Sequence, residues 1–142
     1  MNGITRGLTQ NQAHTAPDSP DRRLRGRTYA IPFDAVWNAS LSLAQGGIRG
    51  WSVVSSDDEE GVIVAESKTL IWRFIDDVVI TIGLDENAQT RVDARSQSRV
   101  GNADLGRNPR TLRSFFRKLD RALSAQPGQI LDATRSLQDV AE

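Results

Sequence analysis

The chain has 142 residues, 38% of them hydrophobic, with 18 basic and 18 acidic side chains and no cysteine. That length suffices for one domain with its own core, and the absence of thiols excludes disulfides, thiolate nucleophiles and cysteine metal sites. A mean hydropathy of -0.43 and the lack of any run of about 18 apolar residues exclude a membrane-spanning helix.

The zero net charge conceals an uneven distribution. Residues 1–27 carry five Arg and two acids, and residues 28–90 carry three bases and ten acids. Residues 91–121 then carry nine bases and three acids, and residues 122–142 one base and three acids. Such a split implies either complementary surfaces within one fold or a basic face for an anionic partner.

Residues 1–26 contain Gly, Asn, Gln, Pro and Ser but almost no apolar periodicity. They predict a polar, basic leader, extended or disordered. The single histidine, His14, falls within it, which argues against a His-based zinc site or a Ser-His-Asp triad inside the domain. The N-terminus has no apolar signal-peptide core, so a cytoplasmic location is expected, with peripheral membrane or envelope association as the alternative.

The ordered domain is expected over residues 27–125. Thr28-Tyr29-Ala30-Ile31 reads as a short strand ended by Pro32. Phe33, Val36, Trp37, Leu41 and Ala44 recur at helical spacing and predict a helix to Gln45, stopped by Gly46-Gly47. Trp51 to Ser55 and Val62 to Glu66 then alternate as strands around an acidic turn, Asp57-Asp58-Glu59-Glu60-Gly61. Thr69 to Phe74 continues extended or bulged. Asp77 to Ile82 is apolar and β-branched, and Asp85-Glu86-Asn87 makes the next turn. In the last strand, Thr90 to Ser98, the even positions Val92, Ala94, Ser96 and Ser98 are small, and the odd positions are polar. One face is covered and one is wet.

A second helix is predicted from Pro109 to Ala125, with Leu112, Phe115, Phe116, Leu119 and Leu123 as its apolar stripe. Arg110, Arg113, Arg117 and Arg121 form a ribbon opposite, spanning roughly 80° of arc. The ribbon is either a solubilising face or a contact for an acidic surface. Residues 126–142 read as a short amphipathic tail, helical from Ile130 to Val140. The order β-α-β-β-β-β-α gives a two-layer α+β sandwich, an antiparallel five-stranded sheet with two helices on one face.

The densest chemistry lies between the last strand and the second helix. Arg95 and Arg99 can fork onto a carboxylate or phosphate, with Asp104 available as an internal partner. Gly101 and Gly106 permit tight turns, and Asn108-Pro109 reads as a helix start. A helix N-terminus beside two arginines suits an anion. The same residues equally suit a strand-to-helix connection pinned by Arg–Asp and Ser–backbone bonds.

These segments also carry a resemblance. Asp76-Asp77-Val78-Val79-Ile80-Thr81-Ile82, then Arg91 through Gly101, then Asp104-Leu105-Gly106 and Asn108, closely resemble DUF1499, a family of unknown function. The Trp51 strand and Tyr29-Ala30-Ile31-Pro32 resemble it too, and the likeness spans roughly residues 28–123. It singles out Asp77, Arg95, Ser96, Ser98, Arg99, Gly101, Asp104, Gly106 and Asn108 as family-matching positions. Many family members look envelope-associated, with a signal, a lipoprotein cysteine or membrane helices before the domain.

Three functions are open at this point. The first is a non-catalytic binding or accessory domain for a small anion or lipid head group at the strand-to-helix loop. The second is a protein-interaction module using the arginine ribbon against an acidic surface. The third is a hydrolase-type enzyme with Asp77 and Asp93 as an acid–base pair. Neighbouring arginines, which favour ionised carboxylates, weigh against the third. No metal or cofactor is implied. The aromatic residues lie on core stripes rather than among the arginines, which argues against nucleic acid.

Overall fold

A computed structural model describes residues 12–16, 26–69, 74–99 and 107–131. The strands are β1 (Gln12–His14), β2 (Arg27–Tyr29), β3 (Trp51–Asp57), β4 (Val62–Lys68), β5 (Ile75–Leu84), β6 (Thr90–Ser98) and β7 (Ile130–Leu131). The helices are α1 (Phe33–Ser42), extended by a wider turn over Leu43–Gly47, and α2 (Arg107–Ala122). The fold is α+β, as the element pattern requires.

Six strands run in the order β3-β4-β5-β6-β2-β7, not five, and β1 pairs with β6 off this line. The extra strand comes from the tail. After a single 3-10 turn at Pro127–Gln129, Ile130 and Leu131 pair with Tyr29 and Thr28. Their apolar spacing suits a helix, but the open edge of β2 offers backbone partners that an isolated short helix lacks. The rest of the expected tail helix lies outside the described residues.

The leader also contributes. Gln12, Ala13 and His14 stand opposite Gln97, Ser96 and Arg95, and Arg27, Thr28 and Tyr29 stand opposite Val92, Arg91 and Thr90. Thus β1 and β2 occupy one edge of β6, end to end. Of the predicted extended run from Thr69 to Phe74, residues 70–73 lie outside the described residues, and its two ends are joined. The Thr69 N–H donates to the Phe74 carbonyl at 2.9 Å, and the Phe74 N–H donates to Thr69 Oγ1 at 2.8 Å.

The even positions of β5 and β6 and the odd positions of β4 face the helices. Ile63, Ala65, Val78, Ile80 and Val92 are fully buried there. Against them lie Val36, Trp37 and Ala44 of the first helical segment and Leu112, Phe115, Phe116 and Leu119 of α2, all buried. Trp51 stacks on Phe115 with ring centroids 5.7 Å apart, and Phe33 stacks on Trp37 at 5.9 Å. Trp37 is therefore core and not a stacking platform.

A buried polar contact joins α2 to the sheet. The Tyr29 hydroxyl, on a fully buried ring, donates to Asp120 at 2.5 Å. Arg27 Nε donates to the same carboxylate at 3.2 Å, and its guanidinium lies 5.4 Å from the centre of the Phe116 ring. Burial, then the hydrogen bond to Asp120, push the Tyr29 hydroxyl far above its usual range.

Candidate functional site

The side chains of a strand alternate between faces, and β6 follows the rule. Thr90, Val92, Ala94, Ser96 and Ser98 are buried. Arg95, Gln97 and Arg99 are exposed on the face opposite the described helices, and Arg91 and Asp93 are half-buried there. The predicted site residues are thereby split. Ser96 and Ser98 lie on the helix side and join a buried polar group with Ser67 and Asp76. Asp76 stands between Ser67 and Ser98 in register and is fully buried, and Asp76, Ser96 and Ser98 all have polar partners. Arg95, Arg99 and Asp77 lie on the opposite, uncovered face.

Arg99 does not wait for a ligand there. Its Nε donates to both Asp77 oxygens at 3.1 Å, and its Nη2 donates to Asp77 Oδ1 at 2.8 Å and to Glu66 Oε2. The hydrogen bonds to Asp77 and then to Glu66 push the guanidinium above its already high range. Asp77 and Glu66 are register partners across β4 and β5, so a bridging cation relieves the repulsion between two directly opposed carboxylates.

A second ionic cluster sits further along the same face. Arg91 donates to Asp93 through Nε at 3.0 Å and Nη2 at 2.8 Å, and through Nη1 to Thr28 Oγ1 at 3.2 Å. The Thr15 hydroxyl donates to Asp93 Oδ1 at 2.7 Å and accepts from the Ala94 N–H at 3.0 Å. Gly26 makes room for this cluster. Its φ is +76°, and a Cβ there would lie 2.5 Å from Arg91 Nη2. Asp93 stands opposite Thr81, and Asp77 opposite Gln97. The four-residue offset separates the two carboxylates by about 13 Å along the strands, so they do not form an acid–base pair.

Arg95 lies between these clusters. It is exposed and makes no ion pair among the described residues. Beside it an open groove of about 380 Å³ is lined by Thr15, Val79, Thr81, Asp93, Ala94 and Arg95. Thr15, Val79 and Thr81 are not residues that the sequence marks out. Thr15 reads as leader, and only its pairing with Ala94, its N–H donating to the Ala94 carbonyl at 2.8 Å, brings it here. His14 is the register partner of Arg95, so the one histidine belongs to the sheet.

The strand-to-helix loop itself, with Gly101, Asp104 and Gly106, lies outside the described residues. Arg107 opens α2, so Asn108 falls within the first helical turn and not at the cap. Pro109 lies in the same turn, where backbone N–H groups lack helical acceptors. On the ribbon, Arg110, Arg117 and Arg121 are exposed, whereas Arg113 is half-buried and has a partner. The three exposed residues fall within roughly 40° of arc, a narrower row than four would make. Among the described residues no cluster of His, Cys, Asp or Glu could hold a metal ion, and no helix is long and apolar enough to cross a membrane.

A family model described as "Protein of unknown function (DUF1499)" matches residues 5–119. The chain belongs to DUF1499. The match takes in β1, ahead of the stretch that the sequence motifs cover, and it ends within α2, so β7 lies beyond it. In this DUF1499 domain, therefore, the densest motif is shared between a buried polar group on one side of the sheet and an ionic surface on the other. Comparison with curated proteins finds no match.

Proposed function

We propose that this DUF1499 domain is a non-catalytic binding or accessory domain whose ligand is a small anion, held at Arg95 on the uncovered face of the sheet. The observation that carries this reading is the contrast among the three arginines of β6 and its end. Arg91 holds Asp93 and Arg99 holds Asp77 and Glu66, whereas Arg95, beside an open groove, makes no ion pair among the described residues. A lone guanidinium presents two parallel N–H donors to a carboxylate or a phosphate oxygen pair. An exposed pair of this kind contributes about 0.2–1 kcal/mol, so a dissociation constant of roughly tenths of a molar is expected from charge alone.

The test is a titration of the full chain with acetate and phosphate, followed by amide chemical shifts. Arg95→Ala should abolish the shifts at Thr15, Thr81 and Asp93, and Arg99→Ala should leave them. Equal binding by parent and Arg95→Ala would refute the reading.

The exposed row Arg110, Arg117 and Arg121 favours a second reading, an acidic protein surface docked on α2. Pull-down from a lysate with Arg117→Glu and Arg121→Glu separates the two. Loss of a partner with anion titration unchanged would support the row.

A further inference from the structure

Resting on the anion-binding reading above, we infer that the groove beside Arg95 takes a monoanion with a short aliphatic body, a medium-chain carboxylate, in preference to a phosphate dianion. Two observations carry this, one electrostatic and one apolar.

Among the described residues, the charges around Arg95 on this face are nearly balanced. On one side Arg91 and Asp93 form a neutral pair, and the Asp93 carboxylate itself lines the groove. On the other side Arg99 is shared by Asp77 and Glu66, which leaves that cluster with one excess negative charge. One guanidinium flanked in this way attracts a single negative charge. A second charge on the ligand would meet carboxylates in both directions along β6.

The apolar observation is a row across the strands. Val64 stands opposite Val79, and Val79 stands opposite Arg95. Both valines are half-buried although neither described helix covers this face. Val64 lies two strand spacings from Arg95, about 10 Å. A carboxylate on the Arg95 fork would thus have β-branched side chains directly along its tail. The groove, about 380 Å³, is at the small end of ligand pockets, which suits a short chain and not a bulky one.

The experiment titrates the full chain at about pH 8, where inorganic phosphate is mostly dianion, with acetate, with octanoate below its micelle concentration, and with inorganic phosphate, following amide shifts. Octanoate should bind about tenfold tighter than acetate, the return from burying roughly two methylenes, and phosphate no tighter than acetate. Val79→Ser, and independently Val64→Ser, should bring octanoate affinity towards that of acetate. Arg95→Gln should weaken all three, and thermal melts confirm that each variant folds. Octanoate equal to acetate, or phosphate tighter than octanoate, overturns the aliphatic monoanion while anion binding at Arg95 stands. Octanoate binding that survives Arg95→Gln overturns it as well, because apolar partition alone would explain it. No shift with any of the three anions overturns both readings.

Discussion

Replacing Tyr29 with Phe removes one hydroxyl and nothing else from the core. The ring is fully buried, so Phe fills the same volume and leaves no cavity. What is lost is a 2.5 Å hydrogen bond to the Asp120 carboxylate. Bonds to charged groups contribute about 1.5–3 kcal/mol. Asp120 keeps Arg27 at 3.2 Å and is 23% exposed, so the lower end, about 1.5–2 kcal/mol, is expected. The pH dependence is sharper still. The folded hydroxyl titrates well above its ordinary value of 10.0, so above pH 10 the unfolded chain loses a proton that the folded chain retains. Stability is then fully present below pH 10 and falls by about 1.4 kcal/mol per pH unit above it. Tyr29→Phe lacks this slope. Because the chain has one tyrosine and three tryptophans, tyrosinate absorbance reports Tyr29 alone and tryptophan fluorescence reports unfolding. Urea melts of both proteins at neutral and alkaline pH give the two numbers. Tyrosinate appearing near pH 10 with the fold intact, or a cost below about 0.5 kcal/mol, would refute the buried hydroxyl–carboxylate bond.

Three further outcomes follow from the backbone and the ionic face. Gly61→Ala should destabilise by more than about 2 kcal/mol, since a Cβ at φ +73° would lie 2.0 Å from the Ile82 carbonyl oxygen; a thermal melt within a degree of the parent would contradict this. Ser124→Gly should stabilise by about 0.5–1 kcal/mol in denaturant melts, because Ser124 ends α2 at φ +49° while the Ala125 N–H donates to the Asp120 carbonyl at 3.0 Å. Arg99→Gln should lower the Tm by leaving Glu66 and Asp77 opposed across β4 and β5, and the deficit should shrink as added salt screens the exposed carboxylates; a deficit independent of salt would mean that Arg99 acts by packing alone.

The layer architecture was legible because two periods dominate the chain. The α1 and α2 stripes recur at helical spacing, and every buried residue on them, from Val36 to Leu119, belongs to the core. The hairpin turns were legible because Asp57 and Asp85 each accept from backbone N–H groups two to four residues on. The strands at the β6 edge were not. Three residues at Gln12–His14 and two at Ile130–Leu131 are too short to show alternation, and only the unpaired edges of β6 and β2 explain them. The partner of Arg99 was also hidden. Asp77 is 22 positions away and meets it only through the β5–β6 register.

The split of the candidate site was in the sequence all along. Small residues at even positions of β6 and charged ones at odd positions already assign Ser96 and Ser98 to one face and Arg95 and Arg99 to the other. Grouping all four as a single site treats neighbours in sequence as neighbours in space, which a strand forbids. The two faces can be separated by experiment. Ser98 is 3% exposed and has a polar partner, so Ser98→Ala should cost about 0.5–1.5 kcal/mol of stability and leave anion titrations unchanged. Arg95 is exposed, so Arg95→Ala should stay within about 0.5 kcal/mol of the parent and abolish the anion response. If Ser98→Ala instead weakened anion binding at parental stability, the ligand would lie on the helix side of the sheet, beside Asp76, and the uncovered face would be only solvated surface.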